Sequence, residues 1–525
     1  MERTRRTAAG VLESAREGTA GATWLCLAGV VASLTLRLLY LVQVWRVDLS
    51  EHPVVNSDEG TVGLMARHIL TGARPLFFYG QYYLGALEAY LVAVVFHLFG
   101  QSMITLRLVP TLFTLTWIPL TAAVARRLYG PRAALLAAVL VALPSQFVFE
   151  WGCKARGGFA EHVAFMLLLL YLTMLLQERV TAGRLVTLGF IAGLSLWVNQ
   201  LALAYVPILG YALLSWVPLR RRQLAAVAVA GLIGASPLIY GNIVNPLGTV
   251  RSLALHAKSS KHFEKLLTSV EPDEERDYRG VPLFQVVGMQ ARRDGSWSVS
   301  GTITAIFLLV GGCATGLRAY GFGRSNLLRF RRHLILFGFV AATLVVGGGG
   351  FAGRTLGRYQ LLLYPLLCIL SVGWLEESRP RWAVPLVGLL AFGQMIQLAL
   401  PAPSDGRTPR EVIDDALLQH DLHYGYGPGA MYDLVFQSGE RVIIEPLEHS
   451  RSPRYQSLVG GADRVFYIYR DDQRRKRNHQ AFVKYLSAAG ATYKQFDVNE
   501  YHVLYDVEPA SVISLQMLTK AHLKL

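Results

Sequence analysis

Cysteine is scarce in this chain, four among 525 residues, and the four are scattered. Cys26, Cys313 and Cys368 fall in apolar runs and Cys153 in a short link, so neither a disulfide framework nor a zinc knuckle fits their spacing. Charge is also sparse: 17% of residues are Asp, Glu, Lys or Arg, against 53% hydrophobic. Acids are outnumbered by Lys and Arg, 36 to 51, for a net charge of +15. Such an excess suits nucleic acid when the cations form one patch, whereas here the arginines occupy short segments between apolar runs, as the positive-inside rule places them. No phosphate-loop or dinucleotide fingerprint occurs, and the glycines at 347–350 lack the Lys and Ser or Thr that such a loop requires. Chemistry built on those nucleotide scaffolds is excluded. No internal repeat marks the two halves of a secondary transporter, the first alternative class for a chain of this composition.

What the chain has instead is apolar runs near the roughly 20 residues that a spanning helix requires, with a positive mean hydropathy. We therefore expect a polytopic α-helical membrane protein. Arg3, Arg5 and Arg6 precede the first run, residues 22–44, which puts segment 1–21 in the cytoplasm and the next loop outside. That run follows about twenty mixed polar residues and no small-residue cleavage site, so it reads as a retained span. Between it and Arg126, Arg127 and Arg132 lie two apolar stretches, 82–99 and 105–125, of which only one can cross if these arginines are to face the cytoplasm. The stretch 82–99 is short and contains Glu88 and His97, so it is expected to lie at the interface, within an external loop 45–104. Spans at 133–149, 160–176, 185–200, 201–217, 224–241, 299–317, 333–350, 356–374 and 382–400 complete eleven crossings and a transmembrane part of residues 22–400, with the carboxyl terminus outside. The run 185–217 is divided at Asn199 and Gln200.

Two external pieces exceed simple connectors. Loop 242–298, with an acidic run at 271–277, is expected to form a lid or substrate groove. From 401 to 525 the composition becomes that of a small α/β domain, with strands expected at 442–444, 465–469 and 503–505 and helices at 430–437 and 479–488.

The first external loop holds Asn56-Ser57-Asp58-Glu59-Gly60, followed by a helical pattern with Val62, Met65, Ala66, Ile69 and Leu70 on one face, expected along the membrane surface, and Arg67 and His68 on the other. Adjacent carboxylates at the mouth of a membrane bundle suit deprotonation of an acceptor. Asp58 capping the helix is the structural alternative, compatible with the first. Cations at external span ends are the partners an anionic leaving group would need: Arg358, Arg156, Lys154, Arg354 and Arg107. Snorkelling toward headgroups is the alternative for each. Glu88, inside an apolar stretch, is expected to hydrogen-bond Tyr82 or a loop, and the histidines that could in principle join it are His68, His97, His162 and His262. None of these stands at a ligand spacing such as i, i+4, so no metal site is assigned, and a divalent metal stays open as a cofactor.

The stretch 56–60 and its helix, 78–88 (Phe-Tyr-Gly-Gln-Tyr-Tyr-Leu-Gly-Ala-Leu-Glu), 98–100, Arg107-Leu108, 125–130 and Gly357-Arg358-Tyr359 together resemble the GT-C glycosyltransferases, with the protein O-mannosyltransferases and the aminoarabinose transferases of lipid A as the nearest relatives. The resemblance covers most of residues 20–200 and thins from 200 to 350. It implies a polyprenyl phosphate sugar as donor, inversion at the anomeric carbon, and an acceptor from the cell envelope (protein, lipid or polysaccharide) on the outer side of an inner or plasma membrane. It further implies Asp58 as base, with Glu59 orienting it or binding acceptor, and a pocket that includes Tyr82, Glu88 and Tyr359. A non-catalytic subunit of an envelope assembly is the remaining alternative class.

Overall fold

The computed structural model describes residues 2–46, 56–252, 282–287, 298–322, 326–348, 356–399, 409–427, 431–446, 451–470, 476–499 and 501–509. Most of loop 242–298, together with Arg354 and His262, lies outside the described residues, and so does the expected lid.

Helix α1 (Glu2–Arg46) leads to α2 (Ser57–Leu70), a hairpin of β1 (Phe77–Phe78) and β2 (Gln81–Gly85), and α3 (Leu87–Phe99). The bundle continues with α4 (Met103–Tyr129), α5 (Pro131–Ala142), α6 (Gln146–Cys153), α7 (Phe159–Glu178), α8 (Ala182–Val198), α9 (Val206–Trp216), α10 (Arg221–Gly234) and α11 (Ser236–Val244). After α12 (Pro282–Val287) come α13 (Val299–Phe322), α14 (Leu327–Gly348), α15 (Leu363–Ser378) and α16 (Pro380–Ala399). Helices α5, α7 and α15 form the centre, with most residues of α7 and α15 buried.

Among the described residues five helices are long and apolar enough to cross a membrane: Ala20–Val42 within α1, α4, α7, Val299–Ala319 within α13, and α16. The bent pairs α5/α6 and α10/α11 raise this to seven. The eleven expected crossings therefore include α8, α9, α14 and α15, which fall outside that standard. The expected stretch 82–99 is a strand followed by a 13-residue helix, too short to span. The division at Asn199 is present: α8 ends at Val198, and the Asn199 side chain accepts from the Leu201 amide at 3.1 Å at the start of a 3₁₀ turn, Gln200–Ala204.

The expected continuous span 133–149 is broken, with α5 and α6 meeting at 76°. Pro144 has no N–H to offer the carbonyl of Leu140, and the Tyr364 hydroxyl donates to that oxygen instead at 3.1 Å. The Ala142 carbonyl accepts from Ser33 Oγ at 2.5 Å and from Arg37 Nη1 at 3.2 Å. Ser145 caps α6 through the Val148 amide. Irregular backbone inside a bundle persists only where its polar groups are satisfied in this way, which accounts for a buried arginine in the first span. The bend directs α6 and the loop after it toward the site described below.

The carboxyl-terminal region contains α17 (Pro409–Gln419), β3 (Tyr424–Gly427), α18 (Tyr432–Gln437), β4 (Ile443–Pro446), α19 (Pro453–Gly460), β5 (Phe466–Arg470), α20 (Lys476–Ala488), β6 (Thr492–Val498) and β7 (Tyr501–Glu508). The sheet order is β4-β3-β5-β7-β6, with β3 parallel to β4 and β5, and β7 antiparallel to β5 and β6. The three expected strands and two expected helices are present. Strand β3 escaped because its Tyr-Gly alternation reads as a turn, and β6 because it is a largely exposed edge.

Helix α2 differs from the expected surface helix. It is buried nearly all round, because α18 packs against it. The fit depends on glycine: a Cβ on Gly60 would lie 2.4 Å from both the Asp433 amide nitrogen and the Tyr432 carbonyl oxygen, and one on Gly63 would lie 2.5 Å from the Phe436 ring.

Candidate active site

Asn56 is the cap of α2. Its side chain accepts from the Glu59 amide at 2.8 Å, and the Glu59 carboxylate accepts in return from the Asn56 amide at 3.4 Å, a reciprocal capping box. Capping thus falls to Asn56 and Glu59, and Asp58 is left to face outward in the first turn.

The two adjacent acids have opposite environments. Glu59 is fully buried and receives a forked pair from Arg107, Nε at 2.7 Å and Nη2 at 2.9 Å. Burial works to raise its pKa, while Arg107 and then Lys154 work to lower it, and the result lies below the ordinary carboxylate range. Arg107, expected among the phosphate ligands, is fully buried and committed to Glu59, so it does not reach the cleft. Glu59 likewise anchors the helix and is closed to an acceptor. Asp58 is one-quarter exposed, with Arg451 Nη1 at 3.4 Å and Arg358 Nη1 at 3.9 Å.

Asp58 opens into a small cleft lined by Gln81, Tyr83, Leu84, Arg156, Phe159, Arg358 and Tyr359. Strand β2 supplies Gln81, Tyr83 and Leu84 to this lining, whereas Tyr82 turns away from it and is 43% exposed against Phe77. Tyr83 therefore takes the place expected of Tyr82. Arg358 lies in a 3₁₀ turn, Leu356–Gln360, and donates from Nη2 to the Tyr359 hydroxyl at 2.9 Å.

The link 154–158 supplies the opposite wall. Glu88 is buried beneath it and accepts from the amides of Gly157 and Gly158 at 2.6 and 3.0 Å. Burial raises Glu88 to about 7 in spite of those amides. Its role is to hold this loop from below, so it is not a wall of the cleft. Arg156 stacks 3.9 Å above the Trp151 ring and projects to the cleft, its pKa lowered by burial. Lys154 is buried behind it, and burial followed by Arg156 brings it down to about 8.

At the far end of α2, His68 contacts Tyr79 Oη at 3.0 Å through Nδ1, and Glu440 Oε1 at 3.0 Å and Tyr455 Oη at 3.2 Å through Nε2. Arg67 lies 3.6 Å from Glu440 and stacks on Phe436. His68 and Glu88 are thus engaged with other partners. Among the described residues no three His, Cys, Asp or Glu side chains converge as a metal would require.

Of the residues singled out from sequence, Asp58, Arg156, Arg358 and Tyr359 meet at one cleft, with Lys154 behind it, while Glu59 with Arg107, Glu88 and Tyr82 stand apart. Sequence reasoning missed Tyr83, Gln81, Phe159 and Arg451. Strand alternation would have set Tyr83 and Tyr82 on opposite faces without showing which of them meets the cleft. No local pattern marks Arg451.

Residues 86–240 match the sequence profile of the dolichyl-phosphate-mannose-protein mannosyltransferase family. No curated protein matches the chain. Among solved structures it is similar to ArnT from Cupriavidus metallidurans bound to undecaprenyl phosphate, at 15% identity and a TM-score of 0.62, over 94% of this chain and 99% of that one. It is also similar to the apo oligosaccharyltransferase of Archaeoglobus fulgidus, at 12% identity and a TM-score of 0.53, over 89% and 71% of the two chains. Identities this low speak for fold alone.

Proposed function

Starting from a multi-pass membrane chain with the fold of the GT-C glycosyltransferases, we propose that it transfers a sugar from a polyprenyl phosphate donor to a hydroxyl-bearing acceptor (protein, lipid or polysaccharide) on the outer side of an inner or plasma membrane, with inversion. The observation that carries this reading is one cleft in which a carboxylate, Asp58, faces the cations Arg156 and Arg358 beside Tyr83 and Tyr359. A fold neighbour solved with undecaprenyl phosphate supports a lipid phosphate as the leaving group.

In the proposed reaction the acceptor oxygen attacks the anomeric carbon and its proton passes to Asp58. The bond from that carbon to the phosphate oxygen breaks, and the phosphate departs with one more negative charge than it had in the donor. Arg156 and Arg358 meet that charge, with Lys154 adding positive potential from behind. A positioned carboxylate contributes on the order of 10² to 10⁴ to such a step. Glu59 acts through position: its pair with Arg107 fixes the first turn of α2 and so the direction of Asp58.

Eleven crossings, with 1–21 in the cytoplasm, a transmembrane part 22–400 and an external α/β domain 401–525, complete the proposal. Two observations support it. The two bent pairs, with α8 and α9 among the shorter apolar helices, coincide with four of the proposed crossings, and α18 of the carboxyl-terminal region packs on α2, the helix whose first turn carries Asp58. Asp58 also lies outside every candidate span, unlike a transporter's midplane acid.

The test is sugar transfer by the full chain in lipid, with a panel of polyprenyl phosphate sugars and envelope acceptors, comparing native protein with Asp58→Asn. Transfer that disappears in the folded variant is the expected result. Transfer that survives refutes Asp58 as base, and no transfer by the native chain from any donor of this class refutes the reading.

A further inference from the structure

The first turn of α2 offers two kinds of carboxylate–guanidinium pair. Glu59 and Arg107 are fully buried and forked at 2.7 and 2.9 Å, an arrangement that is costly to break. Asp58 is one-quarter exposed, and its guanidinium neighbours stand at 3.4 and 3.9 Å, longer than a charge-assisted hydrogen bond at its optimum. A loose, partly exposed pair is worth little and exchanges readily. Yet it engages the oxygens that a general base needs free. Resting on the transfer reaction proposed above, we infer that Arg451 is a positioning residue: with Arg358 it holds the Asp58 carboxylate while the donor is absent, and both guanidinium groups pass to the donor phosphate when it binds. Asp58 is thereby released to an acceptor only once the donor is in place.

The placement of Arg451 fits this exchange. It comes from the carboxyl-terminal region, 393 residues beyond Asp58, and its backbone is held where that region docks on α2. The close approach at Gly60 and the contacts of His68 with Glu440 and Tyr455 secure the docking. The side chain crosses Gly80, whose φ of +75° and missing Cβ leave it room: a Cβ there would fall 2.8 Å from Arg451 Cγ. Only the guanidinium has to swing. Among the described residues the other charged or titratable groups that line the cleft with Asp58 and Arg358 are Arg156, Tyr83 and Tyr359, and Glu59, Glu150 and Lys154 lie behind Arg156. Among the described residues that line the cleft Asp58 is the one acid, so there an incoming phosphate competes for Arg358 and Arg451 with Asp58, while Glu59 and Glu150 act on Arg156 from outside the lining. The carboxyl-terminal region is then a working part of the cleft, and its removal would leave Asp58 one cation short.

The decisive experiment measures binding of a polyprenyl phosphate, with inorganic phosphate as a second arm, to the full chain in nanodiscs. Native protein is compared with Asp58→Asn, Arg451→Gln, Arg451→Lys and the double variant Asp58→Asn/Arg451→Gln. The exchange predicts that Asp58→Asn binds the lipid phosphate about three- to tenfold more tightly, because two weak pairs no longer have to be given up. A gain of that kind cannot come from misfolding. Arg451→Gln should weaken binding by roughly tenfold, as expected for a lost charged hydrogen bond, with Arg451→Lys recovering part of it. The gain from Asp58→Asn should shrink in the Arg451→Gln background. Binding by Asp58→Asn equal to or weaker than native, with native binding intact, overturns the exchange and leaves the transfer reading standing. Native protein that binds no polyprenyl phosphate overturns both. Tightening seen equally with inorganic phosphate assigns the recognition to the anion, and tightening confined to the lipid assigns it to the phosphate on its chain. Either form supports the exchange.

Discussion

Replacing Arg107 with Met tests the physical core of the site more severely than any change at the cleft. The Glu59–Arg107 pair has no exposure on either side chain. Taking away one partner leaves an uncompensated buried charge, which costs about 3 to 5 kcal/mol. Replacing both, Glu59→Leu with Arg107→Met, removes the charge and should recover most of that, less about 1 kcal/mol for the lost capping contact to Asn56. The pH dependence should also change sign. In the native chain Glu59 titrates below its ordinary value, so its contribution to stability is present above roughly pH 4.3 and is lost as the pH falls through the folded value. In Arg107→Met, burial, the largest influence on this carboxyl, is no longer offset by Arg107. The folded pKa then rises, and stability is lost as the pH rises through it. Denaturant unfolding in detergent, followed by intrinsic fluorescence from about one pH unit below the ordinary carboxylate values to about four units above them, reads both effects. A cost below about 1 kcal/mol, or a double variant no more stable than Arg107→Met, would refute the reasoning.

Gly60→Ala puts a methyl 2.4 Å from the backbone of α18, so we expect a loss of about 1 to 3 kcal/mol or more, read as faster limited proteolysis within residues 409–508. Glu440 is brought down to about 2, burial opposing and the hydrogen bonds from His68 and Tyr455 with the Arg67 charge prevailing. Its contribution is therefore present above the ordinary carboxylate value and lost as the pH falls toward 2. Glu440→Gln should cost about 1 to 3 kcal/mol at neutral pH and flatten the unfolding curve through that acid window. Tyr83→Leu should raise the donor KM, whereas Tyr82→Leu, on the opposite face of β2, should leave transfer kinetics unchanged. Equal effects would mean that the strand is out of register.

The bundle was legible because a spanning helix leaves a local trace. Hydropathy accumulates over about twenty neighbouring residues, arginines collect in the links, and Asn199 interrupts an apolar run at the point where α8 ends. The Pro144 break was read as a continuous span, because its carbonyls are satisfied by Tyr364, Ser33 and Arg37, which lie far away in sequence. Helix α2 was read as a surface helix because its apolar stripe is visible and its covering partner, α18, is encoded some 370 residues later.

Sequence alone determined that the chain is a polytopic membrane protein, that Asp58 and Glu59 open a helix in its first loop, and that Arg156 and Arg358 stand beside apolar runs. Each of these depends on residues that are neighbours along the chain. Only the tertiary structure decided which acid is buried against Arg107 and which faces the cleft, that Tyr83 and not Tyr82 lines it, and that Arg451 reaches Asp58. These are pairings across 48 and 393 residues and the direction of one strand's face, all set by packing, which no local pattern records.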